Sequence, residues 1–484
     1  MEDCACGSTR KEVSGAGGEG FEKVGPDGTP TGEPSRADEK GLVARCDAPP
    51  SGASWPRFVL TAVLALLRAL LSALLHAARA NPRPLLAAPP SPTPPPPSAA
   101  CDGVEDDPAI APEDGLPPEH LLEHTADSLA ARVSARLGRG GSLARAVYRE
   151  YCGGGGACGW AEEVRRAARP LAARVRGLCD TTPPLALEAG AAPPAAGETE
   201  KYVLRAADGA EVEMVAMPAP GVEAGWSLCV STQVGCRMGC TFCETGRMGL
   251  LRNLTVAEVV AQLAVARFAL RLRVANVVFM GMGEPLDNVD VLIRSIRVMI
   301  DPLGFCLPLK NITVSTSGEA KNVYTLVDAL PSVRMAFSIH SGDEAMRSRL
   351  MPINRRVPLA EFAEAMRYYL RKTKRRITIQ YVLLAGENDS ASEAATLAAF
   401  LRTVGPAARF HVNLIPYNEQ SKPRYRTPSH QACVAFKVAL MQEGYFAKIR
   451  ETRGDAKMAA CGQVLPARLE FKSSCTHVPA VIIS

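Results

Sequence analysis

The segment Cys236-Arg-Met-Gly-Cys240-Thr-Phe-Cys243 places three thiols within eight residues of the chain. Three thiolates can hold a cubane [4Fe–4S] cluster and leave its fourth iron without a protein ligand. A structural zinc site is the competing interpretation, but such sites take four ligands, commonly in paired Cys-x2-Cys units. No nearby residue offers a fourth ligand, since Cys229 comes earlier, in an apolar run. The spacing therefore predicts a cluster with one open iron.

The chain around this segment alternates between strand-like and helical patterns from about Lys201 onward. The apolar strand-like runs are Trp226–Ser231, Ala275–Met280, Ile312–Thr316, Met335–Ile339, Ile377–Leu384 and Phe410–Ile415. The helical patterns between them are Val256–Leu270, Val289–Met299, Val323–Leu330, Leu359–Lys372 and Glu393–Val404. Repeated βα units predict a parallel sheet, and six in succession predict an α/β fold with a partial (β/α)6, TIM-like barrel.

Polar motifs follow the ends of these predicted strands. They are Gly281-Met-Gly-Glu-Pro285, Ser315-Thr-Ser-Gly318, Ser338-Ile-His340 and Pro416-Tyr-Asn418. Loops at the carboxyl ends of strands carry the chemistry of βα barrels. An open iron can chelate the amino and carboxylate groups of S-adenosylmethionine (SAM), with Glu284 near the amino group and Ser315 and Ser338 near the carboxylate and ribose. Each motif alone is equally typical of a tight turn, a strand end or a structural histidine.

The rest of the chain divides by composition. We expect a disordered extension over 1–116 with a Pro-rich linker, a small helical accessory domain over 117–190, a catalytic unit over 200–465 with its core at about 222–454, and a C-terminal tail over 466–484. The 484 residues carry a formal net charge of +5, which permits an RNA partner without requiring one. Fifteen cysteines without regular spacing favour metal chemistry in a reducing compartment over a disulfide scaffold.

An apolar run over residues 55–80 interrupts the N-terminal extension. Arg68 near its middle counts against a membrane anchor, and the run starts too late for a secretory signal. The acid-free sequence that follows favours organellar targeting, to a plastid or mitochondrion, whereas the acidic first fifty residues do not. We therefore expect a cytoplasmic or organellar protein whose core lies outside membranes, with a misassigned start or a true anchor as alternatives.

Several further blocks resemble the radical SAM RNA adenine methyltransferases of the RlmN/Cfr type. The resemblance runs from about Glu211 to Gln463. Its blocks are Val212–Val215, Met217-Pro218, Leu228–Cys236, Gly281–Asn288, Ile312–Gly318, Leu350–Arg355, Asn413–Asn418, Arg453–Asp455 and Ala459-Ala-Cys-Gly-Gln463. The last block is specific to this family among radical SAM enzymes.

The resemblance implies a role for each matching residue. Cys236, Cys240 and Cys243 would bind the cluster. SAM would contact Gly283, Glu284, Ser315, Ser338, Ile339, His340 and Asn418. The methyl group would be carried on Cys461, with Cys229 as the resolving thiol that forms a transient disulfide and Glu213 as the proton acceptor.

The reaction implied by this resemblance is methylation of an adenine ring carbon through an S-methylcysteine. C2 is favoured over C8, and the substrate would be 23S-type ribosomal RNA, transfer RNA or both. An electron donor such as a flavodoxin or ferredoxin would be needed, and we expect a monomer.

Three departures from the family pattern stand out: Glu244, Ser341-Gly342 and Ala456–Met458. Two other functions compete with the methyltransferase. One is a different radical SAM enzyme such as an activase, which would not need Cys229, Glu213 or Cys461. The other is a noncatalytic RNA-binding relative, which would be expected to lose some thiols. The basic run over 371–376 is typical of a solvated helix end more than of an RNA contact.

Overall fold

The computed structural model describes residues 112, 114–154, 169–219, 221, 225–420, 423–450 and 462–463. Residues 1–111 of the expected extension, which include the apolar run at 55–80, and the tail over 466–484 lie outside the described residues, so targeting and localisation stay predictions. Cys461 and Ala456–Met458 also lie outside them. Across the described part of the chain, no helix combines the length and apolarity needed to cross a membrane.

The first described segment contains three helices. Its elements are β1 (Glu119–His120), α1 (Ala126–Leu137), α2 (Gly141–Gly154), α3 (Arg169–Gly177) and β2 (Cys179–Asp180). The side chain of Thr125 caps α1 at its start, and Gly138 follows its end with a φ of 68° in the left-handed region. Leu129 and Val133 of α1 are fully buried and join the main hydrophobic core. The helical pattern expected here is therefore confirmed where the structure describes it.

The remaining elements begin with five strands in succession and then largely alternate between helix and strand. In chain order they are β3 (Leu185–Leu187), β4 (Glu200–Ala206), β5 (Glu211–Pro218), β6 (Trp226–Cys229), β7 (Gln233–Cys236), α4 (Glu244–Met248), β8 (Gly249–Asn253), α5 (Val256–Ala264), β9 (Val274–Phe279), α6 (Val289–Ile300), β10 (Ile312–Thr316), α7 (Ala320–Ala329), β11 (Arg334–Ser338), α8 (Glu344–Leu350), α9 (Leu359–Lys372), β12 (Ile377–Leu383), α10 (Ala391–Val404), β13 (Phe410–Pro416), α11 (His430–Gln442) and β14 (Ala447–Ile449). A π-helical turn, Val265–Ala269, extends α5.

Ten of these strands form one sheet in the order β14-β13-β12-β11-β10-β9-β6-β5-β4-β3. The strands from β6 to β14 in this order run parallel, whereas β3, β4 and β5 extend the sheet with antiparallel pairing. Because β14 and β3 stand at opposite edges, the sheet is open. The six predicted strands and their five helices are confirmed, so the partial (β/α)6 barrel is the architecture of this region.

Parallel pairing brings the carboxyl ends of β9 to β13 to a single edge of the sheet, which is where the polar motifs lie. Strand β12 is buried almost throughout, whereas β10 alternates between fully buried and partly buried residues. In helix α9, Phe362, Met366 and Tyr369 recur at helical spacing and are fully buried. Packing of this kind fixes the strand ends relative to one another.

Asp301, at the end of α6, attaches α1 to this core. Its Oδ2 accepts the backbone N–H of Ala126 at 2.7 Å, and its Oδ1 accepts that of Leu303 at 2.8 Å. The first contact satisfies one of the N–H groups that have no partner within the helix, and it places a negative charge at the helix start. We expect Asp301→Ala to lower the free energy of unfolding by about 1–2 kcal/mol, measured by urea denaturation. Asp127→Ala, which removes an exposed acid from the same helix, should leave the midpoint nearly unchanged. Equal losses in both variants would contradict this role for Asp301.

Candidate active site

The cysteine segment is the connection of the β7–β8 hairpin. Cys236 ends β7, and the chain then passes Cys240 and Cys243 before it enters α4. Thr241 within this connection attaches it to the end of α8. Its backbone N–H and its hydroxyl donate to the carbonyl oxygen of Leu350 at 2.9 and 3.1 Å. All three cysteines border one cavity of about 150 Å³. The hairpin thus brings together the thiols that the spacing predicts as ligands.

These thiols lie in a place that disfavours bare negative charge. Burial raises the pKa of Cys236 to about 12 and that of Cys240 well above its ordinary value, and the neighbouring cysteines add to both effects. Thiolates here need compensating positive charge, which iron supplies. Among the described residues, no three His, Cys, Asp or Glu side chains converge on a single metal ion. A cubane makes a different demand, because its thiolates bind different irons, and the three thiols fit that donor set.

Most residues predicted to contact SAM border the same cavity. They are Gly283, Glu284, Ser315, Ser338, His340 and Asn418. Ile339 is fully buried in the hydrophobic core beside them, where its backbone N–H donates to the carbonyl of Gln380 at 3.1 Å. The bordering residues belong to four separate loops or strand ends, after β9, β10, β11 and β13. The cavity therefore lies at the carboxyl edge of the sheet, as the sequence predicts.

Glu284 is a buried residue held by four hydrogen bonds with three neighbours. Its oxygens accept the backbone N–H and the hydroxyl of Ser317 at 2.8 and 2.7 Å and the backbone N–H of Leu286 at 3.2 Å. Its own N–H donates to Oε1 of Gln233 at 2.8 Å. Burial raises the pKa of Glu284 to about 7 despite these hydrogen bonds. A bound ammonium group would favour the ionised form of this carboxyl group.

The glycines before Glu284 are required by the backbone itself. Gly283 has a φ of +101°, and a Cβ atom on it would lie 2.7 Å from Cβ of Gln233. A Cβ atom on Gly281 would lie 2.8 Å from the carbonyl oxygen of Val230. The loop therefore approaches the strand before the cysteine segment so closely that only glycine fits. Close packing explains both glycines without reference to a ligand.

His340 is neutral and fixed. Its Nδ1 accepts the backbone N–H of Val382 at 2.9 Å, so the ring proton is on Nε2. Burial, together with the positive charge of Arg347, lowers the pKa of His340 to about 3. Its φ is +59°, an unusual conformation for a residue other than glycine, and Asn388 donates to its carbonyl oxygen at 2.8 Å. The ring packs edge-on against Phe242 of the cysteine segment, with 4.8 Å between centroids.

Two polar residues that the motifs did not single out also border the cavity. Oε1 of Gln380 and the hydroxyl of Tyr417 are buried and have no hydrogen-bond partner among the described residues. Gln380 is an amide side chain in the centre of a mostly apolar strand run, and the sequence alone shows this. Buried polar atoms without partners are expensive unless a ligand or water satisfies them. They indicate that this cavity accepts a polar ligand, as SAM would be.

Arg347 is a fully buried arginine beneath the cavity. Its guanidinium donates to the carbonyl oxygens of Ser317 at 2.7 Å, Ser338 at 3.3 Å and Ile339 at 3.1 Å, and also to Oδ1 of Asn354. It lies over the ring of Phe362, 5.1 Å from the centroid. Burial lowers the pKa of Arg347 to about 10, while the nearby Cys240 favours its charged form. No sequence motif singles out Arg347, although its partner Asn354 lies in one of the family blocks.

Cys229 and Glu213 lie on one face of neighbouring strands. Cys229 on β6 pairs with Val215 on β5, and Glu213, two residues earlier on β5, directs its side chain to the same face. Cys229 and Val215 form a small apolar cluster against which Met280 packs. Met280 also borders the cavity. Neither Cys229 nor Glu213 borders the cavity itself, and Met280 links the cluster around Cys229 to it.

The residue after Cys461 borders the cavity as well. The carbonyl oxygen of Gly462 accepts the backbone N–H of Glu244 at 2.9 Å and Nε2 of Gln420 at 3.3 Å. Glu244, a departure from the family pattern, is buried, and its carboxylate pairs with Arg247 at 2.5 Å. The C-terminal family block thus meets the cysteine segment directly.

The basic run over 371–376 lies elsewhere. It joins the end of α9 to the start of β12, whereas the cavity is bordered by Gln380 and Val382 further along that strand. Lys372 pairs with Asp328 at 3.0 Å. This position agrees with the interpretation of a solvated helix end.

Comparison with known proteins identifies the enzyme class of the residues around this cavity. Residues 230–398 match the model of the radical SAM superfamily. The chain is 38% identical over 359 residues to a probable dual-specificity RNA methyltransferase RlmN 1 of Protochlamydia amoebophila, covering 74% of this chain and 96% of that protein. It is 43% identical over 285 residues to a dual-specificity RNA methyltransferase RlmN of Halorhodospira halophila, covering 58% and 77%.

A solved structure agrees with these relatives. The crystal structure of a radical SAM methyltransferase from Sphaerobacter thermophilus superposes with a TM-score of 0.64 at 36% identity. The match covers 72% of this chain and 99% of that one. The fold of this chain therefore resembles that of a solved radical SAM methyltransferase over most of its length.

The buried guanidinium generates a testable expectation. Arg347→Met should lower the free energy of unfolding of the cluster-free protein by about 3 kcal/mol or more, because several buried acceptors lose their donor. Arg349→Met, two residues along the same helix, breaks an exposed pair with Glu387 and should cost less than about 1 kcal/mol. Urea denaturation measures both. A loss in Arg347→Met no larger than that in Arg349→Met would show that the strand ends do not depend on this side chain.

Proposed function

Because the chain belongs to the RlmN family of radical SAM RNA methyltransferases, we propose that it methylates a ring carbon of adenine, with C2 favoured over C8. The substrate is 23S-type ribosomal RNA, transfer RNA or both. The dual specificity in the names of the relatives supports more than one RNA substrate. The reaction requires a [4Fe–4S] cluster held by Cys236, Cys240 and Cys243, and SAM bound beside it.

The contact between Glu244 and Gly462 carries this proposal. Gly462 directly follows Cys461, and Glu244 directly follows Cys243, the last thiol of the triad. Their hydrogen bond holds the two segments together. A radical SAM enzyme that only generates a radical would have no use for a further cysteine beside that triad. A methyl carrier must be within reach of the radical, and the position of Gly462 supports this for Cys461.

The chemistry of adenine explains the need for a carrier. C2 and C8 of the ring are poor nucleophiles at neutral pH, so they cannot take the methyl group of SAM by direct displacement. A thiolate is a competent nucleophile for that displacement. Cys461 therefore accepts the methyl group first and presents it to the RNA base as part of the protein.

When bound, the cluster and SAM supply the electron and the 5′-deoxyadenosyl radical that activate the methyl group. Glu213 then accepts the ring proton from the adenine joined to Cys461. Cys229 attacks the sulfur of Cys461, and the S–C bond breaks with its electron pair going to the methylene carbon, which takes up a proton to become the methyl group. The methylated RNA is released, and the two cysteines are left as a disulfide that a reductant must reopen. We propose a flavodoxin or ferredoxin as the electron donor and a monomer as the working form.

The methyl carrier can be tested directly. Full-length protein produced with SAM and reconstituted cluster under anaerobic, reducing conditions should carry one methyl group on Cys461, identified by peptide mass analysis. Cys461→Ser should lose it, whereas Cys306→Ser, which changes an exposed cysteine outside the cavity, should keep it. Methylated adenosine is then measured by nucleoside mass analysis of 23S ribosomal RNA fragments and bulk transfer RNA. An unmethylated Cys461 in active preparations would favour an activase-type enzyme or a noncatalytic relative.

The raised pKa of Glu284 predicts how SAM binding depends on pH. With a pKa of about 7, the carboxyl group is mostly ionised at pH 8 and mostly protonated at pH 6. Only the ionised form attracts the ammonium group of SAM, so affinity should fall about tenfold from pH 8 to pH 6. His340, with a pKa of about 3, stays neutral across this range.

Equilibrium dialysis of SAM against the cluster-loaded protein measures this effect. Glu284→Gln should bind SAM more weakly and with little dependence on pH. A wild-type affinity that is equal at pH 6 and pH 8 would contradict a role for Glu284 in binding the amino group.

A further inference from the structure

Lys201 and Glu213 form an ion pair across neighbouring strands. Nζ of Lys201 lies 2.9 Å from Oε1 of Glu213, and their side chains are 18% and 0% exposed. Lys201 on β4 pairs with Val215 on β5, and Val203 pairs with Glu213, so the two charged side chains leave the same face. A fully buried carboxylate thus has a compensating charge on the next strand.

We propose that Lys201 is a positioning residue that keeps Glu213 ionised and oriented to accept the proton from the adenine ring. The inference rests on the proposed function, which gives Glu213 the role of proton acceptor. Lys201 touches neither the reacting atoms nor the cluster in this scheme and acts through Glu213 alone.

The physical reason is the burial of Glu213. Removal from water disfavours the charged form of a carboxyl group, and a protonated carboxyl group cannot accept a proton. An ammonium group 2.9 Å from one oxygen of the carboxyl group favours its ionised form and attracts that oxygen towards β4. In the transfer, a C–H bond of the ring breaks and an O–H bond forms on Glu213. The electron pair of the C–H bond stays in the ring, and Lys201 keeps its own proton.

The main chain of Glu213 is already fixed by other contacts. Its carbonyl oxygen accepts the hydroxyl of Ser231 at 2.6 Å. The same hydroxyl oxygen accepts the backbone N–H of Met282, in the loop that leads to Glu284, at 2.9 Å. These bonds set where the residue lies relative to the cavity. The direction and charge of its carboxylate depend on its side-chain contacts, and Lys201 is a cationic contact among the described residues.

Among the described residues of β4, β5 and β6, the other titratable groups on this face are Arg205, Glu211 and Cys229. Arg205 on β4 and Glu211 on β5 form a second ion pair at 2.6 Å. This pair lies further along β5 from Val215, the residue that pairs with Cys229 on β6. Cys229 is the titratable residue contributed by β6, and the side chains packed against it from the following strand, Val278 and Met280, are apolar. The Arg205 side chain is 49% exposed, so its pair is a matched control on the same two strands.

The experiment uses the full chain with reconstituted cluster, SAM and the RNA substrates named above. Protein–RNA adduct is quantified on denaturing gels and methylated adenosine by mass analysis, between pH 6.5 and pH 9.5. Lys201→Met should still carry methyl on Cys461, but at pH 7.5 it should accumulate adduct and form product about tenfold more slowly. Its pH profile should shift upward by about one unit or more, with product formation recovering at high pH. Lys201→Arg should restore most activity, and Arg205→Met should behave as wild type.

Lys201→Gln keeps a hydrogen-bond donor without the charge, so it carries the same test if Lys201→Met is unstable. Equal product formation by the Gln and Arg variants at pH 7.5 would overturn the inference, as would a wild-type pH profile in Lys201→Met. A wild-type enzyme that methylates no RNA adenosine would instead overturn the proposed function. The two failures are therefore distinguishable.

Discussion

The cavity of this protein depends on a positive charge buried beneath it. Arg347 donates to carbonyl oxygens where β10 and β11 end, and to the side chain of Asn354. A charge removed from water is tolerated only when its hydrogen bonds are made, and this requirement holds every acceptor in place. Those acceptors lie where the chain leaves the sheet for the cavity loops. The guanidinium thereby fixes the edge from which Ser338 and His340 approach the site.

A second constraint comes from two side chains, Gln233 and Ser231, that hydrogen-bond to the backbone of other segments around the site. Gln233, three residues before the first thiol of the triad, accepts the N–H of Glu284, and Ser231 joins Glu213 to Met282. These hydrogen bonds fix the positions of the cysteine segment, Glu284 and Glu213 relative to one another. Their separations are set by strand register and short hydrogen bonds, so little conformational freedom remains to be lost when ligands bind.

Burial shifts the ionisation of the site in one direction. It raises the pKa of Glu284 and Cys236 and lowers that of His340, so each group tends toward its neutral form. Charge in such a place must be introduced in compensating pairs. Iron with thiolates, and an ammonium group with Glu284, are pairs of this kind. The same reasoning applies to Lys201 and Glu213 on the neighbouring face, where the compensating charge belongs to the protein.

The sequence alone determined what is local or periodic. The thiol spacing gave the donor set, the βα alternation gave the partial barrel, and the strand ends gave the cavity edge, because each signal is contained in a short stretch. The roles of Arg347 and Lys201 depended on the tertiary structure. Arg347 meets a carbonyl oxygen 30 residues away, and Lys201 meets Glu213 only through the register of β4 on β5. A buried charge is stable only when its partners are in place. Those partners are far away in the sequence, so only the tertiary structure shows which residues they are.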